Sequence, residues 1–265
     1  MSVPGSPRDD APRVRIDINC DMGESFGPWR MGTDADVMPH ITSANIACGA
    51  HAGDPTVMRR TVRLARDAGV AVGAHPGFAD LQGFGRREMT VDPAEIEDSL
   101  LAQIGALAAI AKAEGVRLRH VKAHGALYNM ACRDRALADA IAKAVAAFDR
   151  SLILFGLPNS ELLRAGAAAG LSIAAEVFAD RAYEPDGSLT SRTKPGSVIH
   201  DTSKVVERAI KMVRDKQVIA VDGSTISLKA DTICLHGDTP GAADHAKAVR
   251  RGLEAAGISV ACWSA

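Results

Sequence analysis

The sequence predicts an α/β fold, a single β/α barrel of about seven parallel strands. Three observations carry this. Short apolar runs alternate with capped helical segments along the chain, the pattern of repeated parallel βαβ units. No stretch has the composition of an interdomain linker. No GxGxxG follows the first apolar run, which disfavours a dinucleotide-binding sheet. An open doubly wound sheet is the alternative arrangement.

The apolar runs are Arg15–Cys20, Ile41–Ala47, Val70–Ala74, Arg119–Ala123, Leu152–Phe155, Ile173–Phe178 and Thr232–Leu235, with Ile258–Cys262 as an eighth candidate. Each is too short for a helix and is bounded by Gly or Pro, as a buried strand is. The helices mark their own ends. Asp54–Pro55 opens one that Gly69 closes, and Asp92–Pro93 opens the next, with Glu95 completing a capping box and Gly115 ending it. Ser160 begins a helix that stops at Gly170, and Asp201 or Thr202 caps one ending near Lys216. Thr239–Pro240 opens the last, closed by Gly257. Val218–Leu228 alternates around Asp222–Gly223 and reads as a hairpin. Residues 1–13 read as a disordered tail without the apolar core of a secretory signal, leaving 14–265 as the barrel domain.

Composition removes several functions. A net charge of -1 gives no basic face for nucleic acid or an anionic membrane, and 4% aromatics leave few platforms for bases. No run of 18 apolar residues occurs. Five scattered cysteines, an odd number without a CxxC, fit a reduced, cytoplasmic protein.

In a parallel barrel the active site lies where the strands end. The first strand ends in Asp17, Asn19 and Asp21, spaced by two on one face, then Glu24. The next ends bring Asn45, Cys48 and His51, then His75, then Lys122 and His124. Later ends bring Glu176, Asp180 and Arg181, and finally His236, Gly237 and Asp238. Four of the eight histidines thus sit at separate strand ends, each within two residues of a glycine. Lys122 is a cation at the inner end of a short apolar run that opens on Arg119, so it needs a carboxylate partner or an anionic ligand. Arg86 and Arg87 lie in a long loop, Pro76 to Thr90, of the kind that covers sites. No GxxxxGK[ST] or GxSxG occurs. Cys20 and Cys48 are candidate nucleophiles beside His51, against the plainer reading of packed thiols. Several His and Asp at strand ends suit general acid–base work or a divalent metal, with Asp21, His51, His75 and His124 as the ligands if one is present.

These segments resemble the LamB/YcsF family over nearly the whole chain from Ile16. The residues that carry the likeness are Asp17–Gly27, Ser43–Gly49 with His51–Pro55, Gly73–Gly77 with Gly83–Arg87, His124–Asn129, Glu176–Tyr183 and Ile233–Asp238. One departure is Ala123, where the family usually has proline between the lysine and the histidine. The resemblance implies a seven-stranded barrel similar to the glycoside hydrolase/deacetylase superfamily. It implies ATP-dependent hydrolysis of 5-oxo-L-proline to L-glutamate, with ATP converted to ADP and phosphate, in a complex with the 5-oxoprolinase subunits B and C. ATP would be bound by this chain or by a partner. Roles then follow from position. Asp21 or Glu24 is the expected general base, and His75 and His124 polarise or protonate the reacting groups. Lys122 and Arg181 hold the carboxylate or phosphoryl group. Asn19, Asn45, His51, Arg86, Asp180 and His236 are the further expected substrate contacts. Two other functions remain open: a metal-dependent deacetylase acting on a carbohydrate or related amide, and a non-catalytic subunit that binds the lactam for its partners.

Overall fold

The computed structural model describes residues 14–237 and 241–263. The expected tail at residues 1–13, Asp238 and the Thr239–Pro240 helix opening lie outside the described residues. The elements run β1 (Arg15–Met22), α1 (Asp34–Val37), β2 (Ser43–Ala47), α2 (Pro55–Ala68), β3 (Ala71–His75), α3 (Pro93–Ala113), β4 (Leu118–Val121), α4 (Gly125–Ala131), α5 (Arg135–Phe148) and β5 (Ile153–Gly156). They continue with α6 (Glu161–Ala168), β6 (Ser172–Phe178), α7 (Thr202–Arg214), β7 (Gln217–Ile219), β8 (Thr225–Ser227), β9 (Thr232–Leu235), α8 (Ala242–Ala255) and β10 (Ser259–Val260).

Seven parallel strands close into a barrel in the order β1-β2-β3-β4-β5-β6-β9, with β9 returning to pair with β1. The eighth candidate strand is real but short: β10 pairs only with Arg15 and Ile16 at the start of β1. The hairpin is β7–β8, antiparallel and outside the barrel. The caps act as their residues dictate. Asp54 accepts from the amides of Thr56 and Val57, Gly69 ends α2 in the left-handed region, and Asp92, Ser160 and Asp201 cap α3, α6 and α7. Three helices, the short α1 and the longer α4 and α5, have no counterpart among the expected elements.

The barrel interior is polar on one side and apolar on the other. Ile153, Phe155 and Ala174 of β5 and β6 form a small apolar cluster on which Trp263 packs. Opposite them, side chains spaced by two along β1 stack in layers. At the lower end Asp17 accepts from the hydroxyls of Thr42, Ser43 and Thr232. One layer up, Asn45 donates to Asn19 at 2.7 Å and His120 donates to Asn45 at 2.7 Å. The His120 ring lies flat on Phe155, with centroids 4.3 Å apart. It can do so because residue 73 is glycine: a Cβ there would sit 2.1 Å from His120 Nε2. Burial holds the His120 pKa down to about 3, so the ring is neutral.

Candidate active site

The top layer of the barrel forms the site. Asp21, at the end of β1, accepts from Asn45 Nδ2 at 2.9 Å and from Lys122 Nζ at 2.8 Å. The same ammonium lies 2.9 Å from Glu176 Oε1 and 3.0 Å from Cys234 Sγ. The buried cation just past the end of β4 therefore has two carboxylate partners from two other strands. Burial raises the Asp21 pKa, but His75 and the Lys122 ammonium beside it outweigh this and hold the carboxyl well below its ordinary value. Burial opposes the Lys122 charge, and Asp21 with Glu176 more than restores it, so the lysine pKa is raised. Behind Glu176, Tyr128 is fully enclosed; burial first, and then the Glu176 charge, push its phenol well above the ordinary range.

Beside this ion triad sits a second cluster. Glu24, His51, His75 and His124 are all buried, and their ligand atoms lie within 4.8 Å of one another. His51 and His124 stack with centroids 3.7 Å apart. Gly85 makes room for both, since a Cβ there would come 2.8 Å from His124 and 2.9 Å from His51. Two backbone carbonyls fix the tautomers. His75 Nδ1 donates to Lys122 O at 2.8 Å, and His124 Nε2 donates to Phe84 O at 2.8 Å. The inward nitrogens, His75 Nε2 and His124 Nδ1, then face each other at 2.9 Å. In neutral rings both carry lone pairs, and two lone pairs do not approach so closely unless a cation sits with them. Both nitrogens of buried His51 also lack a hydrogen-bond partner. Burial pushes the pKa of His51 and of His124 well down, which favours neutral rings. The donor set of three imidazoles and a carboxylate, with lone pairs converging, is one a zinc-like divalent ion fits. A second group, Asp21, Cys234 and His236, has equally close ligand atoms, but the Lys122 ammonium already occupies its centre.

Above both clusters opens a cavity of about 470 Å³. Asp21, His75, Arg86, Lys122, His124, Arg181 and His236 of the expected site residues line it. His236 donates from Nδ1 to Asp180 at 2.6 Å, and this pairing overcomes burial to lower the Asp180 pKa. Asn19 and Asn45 do not reach the cavity. Both are fully buried one layer below, bonded to Thr232, His120, Asp21 and each other. They support Asp21 and do not touch a ligand. Glu24 and His51 face the histidine cluster from behind the cavity wall. Arg181 donates to Thr190 O at 2.6 Å and to Ser197 O at 3.2 Å, fastening the loop after β6. Arg87 is bound to Asp80, so of the arginine pair only Arg86 lines the cavity. Cys20 and Cys48 are not nucleophiles in this fold: burial pushes both thiols up, Cys48 to about 12. Sequence reasoning gave no role to Glu176, Tyr128 or Arg192. Glu176 had a signal, a lone carboxylate inside an apolar strand that mirrors Lys122.

Four likenesses bear on this site. The family model described as the LamB/YcsF family matches residues 16–265. A protein named as the A subunit of 5-oxoprolinase, from Chloroflexus aggregans, is 60% identical over 247 residues, covering 93% of this chain and 98% of that one. One of the same name from Rhodopseudomonas palustris is 56% identical over 249 residues, covering 94% and 98%. The crystal structure of a lactam utilization protein from Thermus thermophilus superposes with a TM-score of 0.89 at 49% identity, covering 94% of this chain and all of that one.

Proposed function

The chain belongs to the LamB/YcsF family, and from that premise we propose that it is the lactam-opening subunit of an ATP-dependent 5-oxoprolinase. The reaction converts 5-oxo-L-proline, ATP and two waters to L-glutamate, ADP and phosphate. The observation that carries this reading is the cavity itself: an ionised Asp21, a buried His/Glu cluster and a carboxylate-held imidazole meet around one space, in a chain whose relatives bear the 5-oxoprolinase name. Those names make each relative the A component of an enzyme of several chains, which supports partner subunits B and C. The chain has no phosphate-binding loop signature, which supports ATP binding on a partner. The five cysteines are free thiols, which supports the cytoplasm.

A lactam resists attack because its nitrogen shares electrons with the carbonyl, so opening it needs a base for water, a charge against the developing oxyanion and an acid for nitrogen. Asp21 is held ionised and lines the cavity, so it takes the proton from water. Lys122, fixed between Asp21 and Glu176, keeps that carboxylate oriented. His236 uses Nδ1 on Asp180 and turns its other nitrogen to the ligand, where it protonates the departing ring nitrogen. A divalent ion held by Glu24, His51, His75 and His124 would supply a Lewis acid that acidifies water or polarises the carbonyl. The test is glutamate release from 5-oxoproline by the purified chain, alone and with its partner subunits, with and without ATP. Release only when ATP and partners are both present is expected. No release in any combination would sink the reading and move attention to ATP-independent amide hydrolysis, the deacetylase alternative that the histidine cluster keeps in view.

A further inference from the structure

Glu176 is a carboxylate with too few partners. It is fully buried on β6, and the cation within reach, Lys122, already answers Asp21. Two carboxylates thus share a single ammonium, and a buried carboxylate short of donors is costly. Two thiols border Glu176 without relieving it. Cys132 is engaged with Leu157 and Ser160, and the Cys234 thiol points to Leu235 O and Lys122. Among the described residues the remaining donor is the phenol of Tyr128. It faces Glu176, whose charge adds to burial in keeping the phenol protonated. Its oxygen is closed off from water and bonds nothing else. The helix aims it. At the start of α4 the His124 amide donates to Pro76 O at 2.8 Å and the Ala126 amide donates to Gly85 O at 2.9 Å. Gly125, between them, has a φ of 57°, and a Cβ there would come 2.6 Å from Gly85 O, so only glycine lets the helix lock onto that loop. One turn on, the Tyr128 ring meets Phe178 in a T-shaped contact, with centroids 6.1 Å apart. Phe178 follows Glu176 by two residues on β6 and so shares its face.

We infer that Tyr128 is a positioning residue for Asp21, acting through Glu176 and Lys122: its hydroxyl holds one oxygen of Glu176 and so leaves the ammonium to Asp21. This rests on the reading of Asp21 as the base of a 5-oxoprolinase. Glu176 Oε1 lies 2.9 Å from the ammonium, and the phenol answers the charge that remains. Without the phenol, Glu176 has the ammonium alone. Lys122, a compact charge on a flexible stem, then closes on both Glu176 oxygens and draws off Asp21. Asp21 Oδ1 keeps only the amide of Asn45, and the carboxylate is free to turn. The Tyr128 ring borders the cavity, but its hydroxyl is closed off behind the wall. It touches no ligand, so its loss shows in the chemical step and not in binding.

Tyr128→Phe removes one oxygen and keeps the packing of the ring. In the reconstituted complex it is expected to lower kcat about tenfold while KM stays within about twofold. Its crystal structure is expected to show the Lys122 ammonium moved off Asp21 onto Glu176. Glu176→Gln supplies the rescue. A neutral amide exerts no pull on the ammonium, so in Glu176→Gln protein the change at Tyr128 should cost less than about twofold in kcat. An unchanged kcat, or a loss of the same size in both backgrounds, would reduce Tyr128 to packing and overturn the inference. So would a Tyr128→Phe crystal with Lys122 still on Asp21, a readout that decides the matter whatever the activities. Absence of glutamate from the wild-type complex would instead overturn the 5-oxoprolinase reading beneath it.

Discussion

Lys122 offers the most direct test of how the barrel is held together. Its ammonium is buried and lies 2.8 Å from Asp21, 2.9 Å from Glu176 and 3.0 Å from Cys234. Met in its place keeps the volume and removes the charge. Two carboxylates from β1 and β6 are then left facing each other with no cation between them. Deleting one partner of a buried ion pair costs about 3–5 kcal/mol, and two stranded carboxylates place Lys122→Met toward the upper end of that range. A lysine that only held an anionic ligand would cost a variant its turnover and not its fold; the triad argues that both are damaged. Urea denaturation of wild type, Lys122→Met, Glu176→Gln and the double variant forms a thermodynamic cycle. Glu176→Gln removes one of the two repelling charges, so the double variant should recover about half of the loss, a coupling of roughly 2 kcal/mol, within the range for groups in contact. A Lys122→Met loss below about 1 kcal/mol, or strict additivity in the double variant, would refute the view that this triad closes the barrel top.

Four further outcomes are expected. Gly73→Ala should destabilise the fold by about 3 kcal/mol, because the new Cβ would sit 2.1 Å from His120 Nε2 and must drive the ring off Asn45; chemical denaturation measures it. Buried His120, with its pKa held to about 3, takes up a proton on unfolding. Its contribution is complete above the unfolded value of about 6.5 and falls as pH drops below it, by up to about 1.4 kcal/mol per pH unit. A His120→Gln variant with the same slope between pH 6.5 and 4.5 as the wild type would contradict this. Elemental analysis of protein purified without chelator should find about one divalent ion per chain, reduced at least tenfold in affinity by His124→Asn; metal-free protein that takes up none would remove the metal from the cluster. Asp180→Asn should cut kcat by about 10²–10⁴-fold through a mis-set His236 while leaving the melting curve close to wild type, and an unchanged kcat would deny His236 its role as acid.

What was legible in the sequence, and what was not, divides along physical lines. The seven barrel strands could be read because each is a short apolar run closed by glycine or proline. Helices α2, α3, α6 and α7 could be read because Asp54, Asp92, Ser160 and Asp201 cap them. Helix α4 escaped because it starts directly at His124, whose side chain makes no cap hydrogen bond, and α5 because its cap, Asp134, closes a connection of a few residues. Spacing by two put Asp17, Asn19 and Asp21 on one face but said nothing of depth. Only Asp21 is high enough to meet a ligand. Arg181 looked like an anion binder because sequence does not record whether a guanidinium will meet carboxylates or main-chain carbonyls.

The division of positive charge explains why one barrel mouth can be so rich in titratable groups and still fold. Lys122 answers Asp21 and Glu176 from within the wall, so that region carries no open charge demand. The histidine cluster is different in kind. Its tautomers are set by the carbonyls of Lys122 and Phe84, and those bonds aim lone pairs at one another. A cation is needed there, either a proton shared between His75 and His124 or a metal ion. A shared proton is lost as pH rises, whereas a metal keeps the cluster intact over the range where Asp21 is ionised. The two cases separate cleanly. If a proton bridges the rings, activity falls on the alkaline side and chelators have no effect. If a metal does, chelation abolishes activity and metal restores it. An enzyme insensitive to both would place the chemistry on the Asp21 and His236 side of the cavity alone.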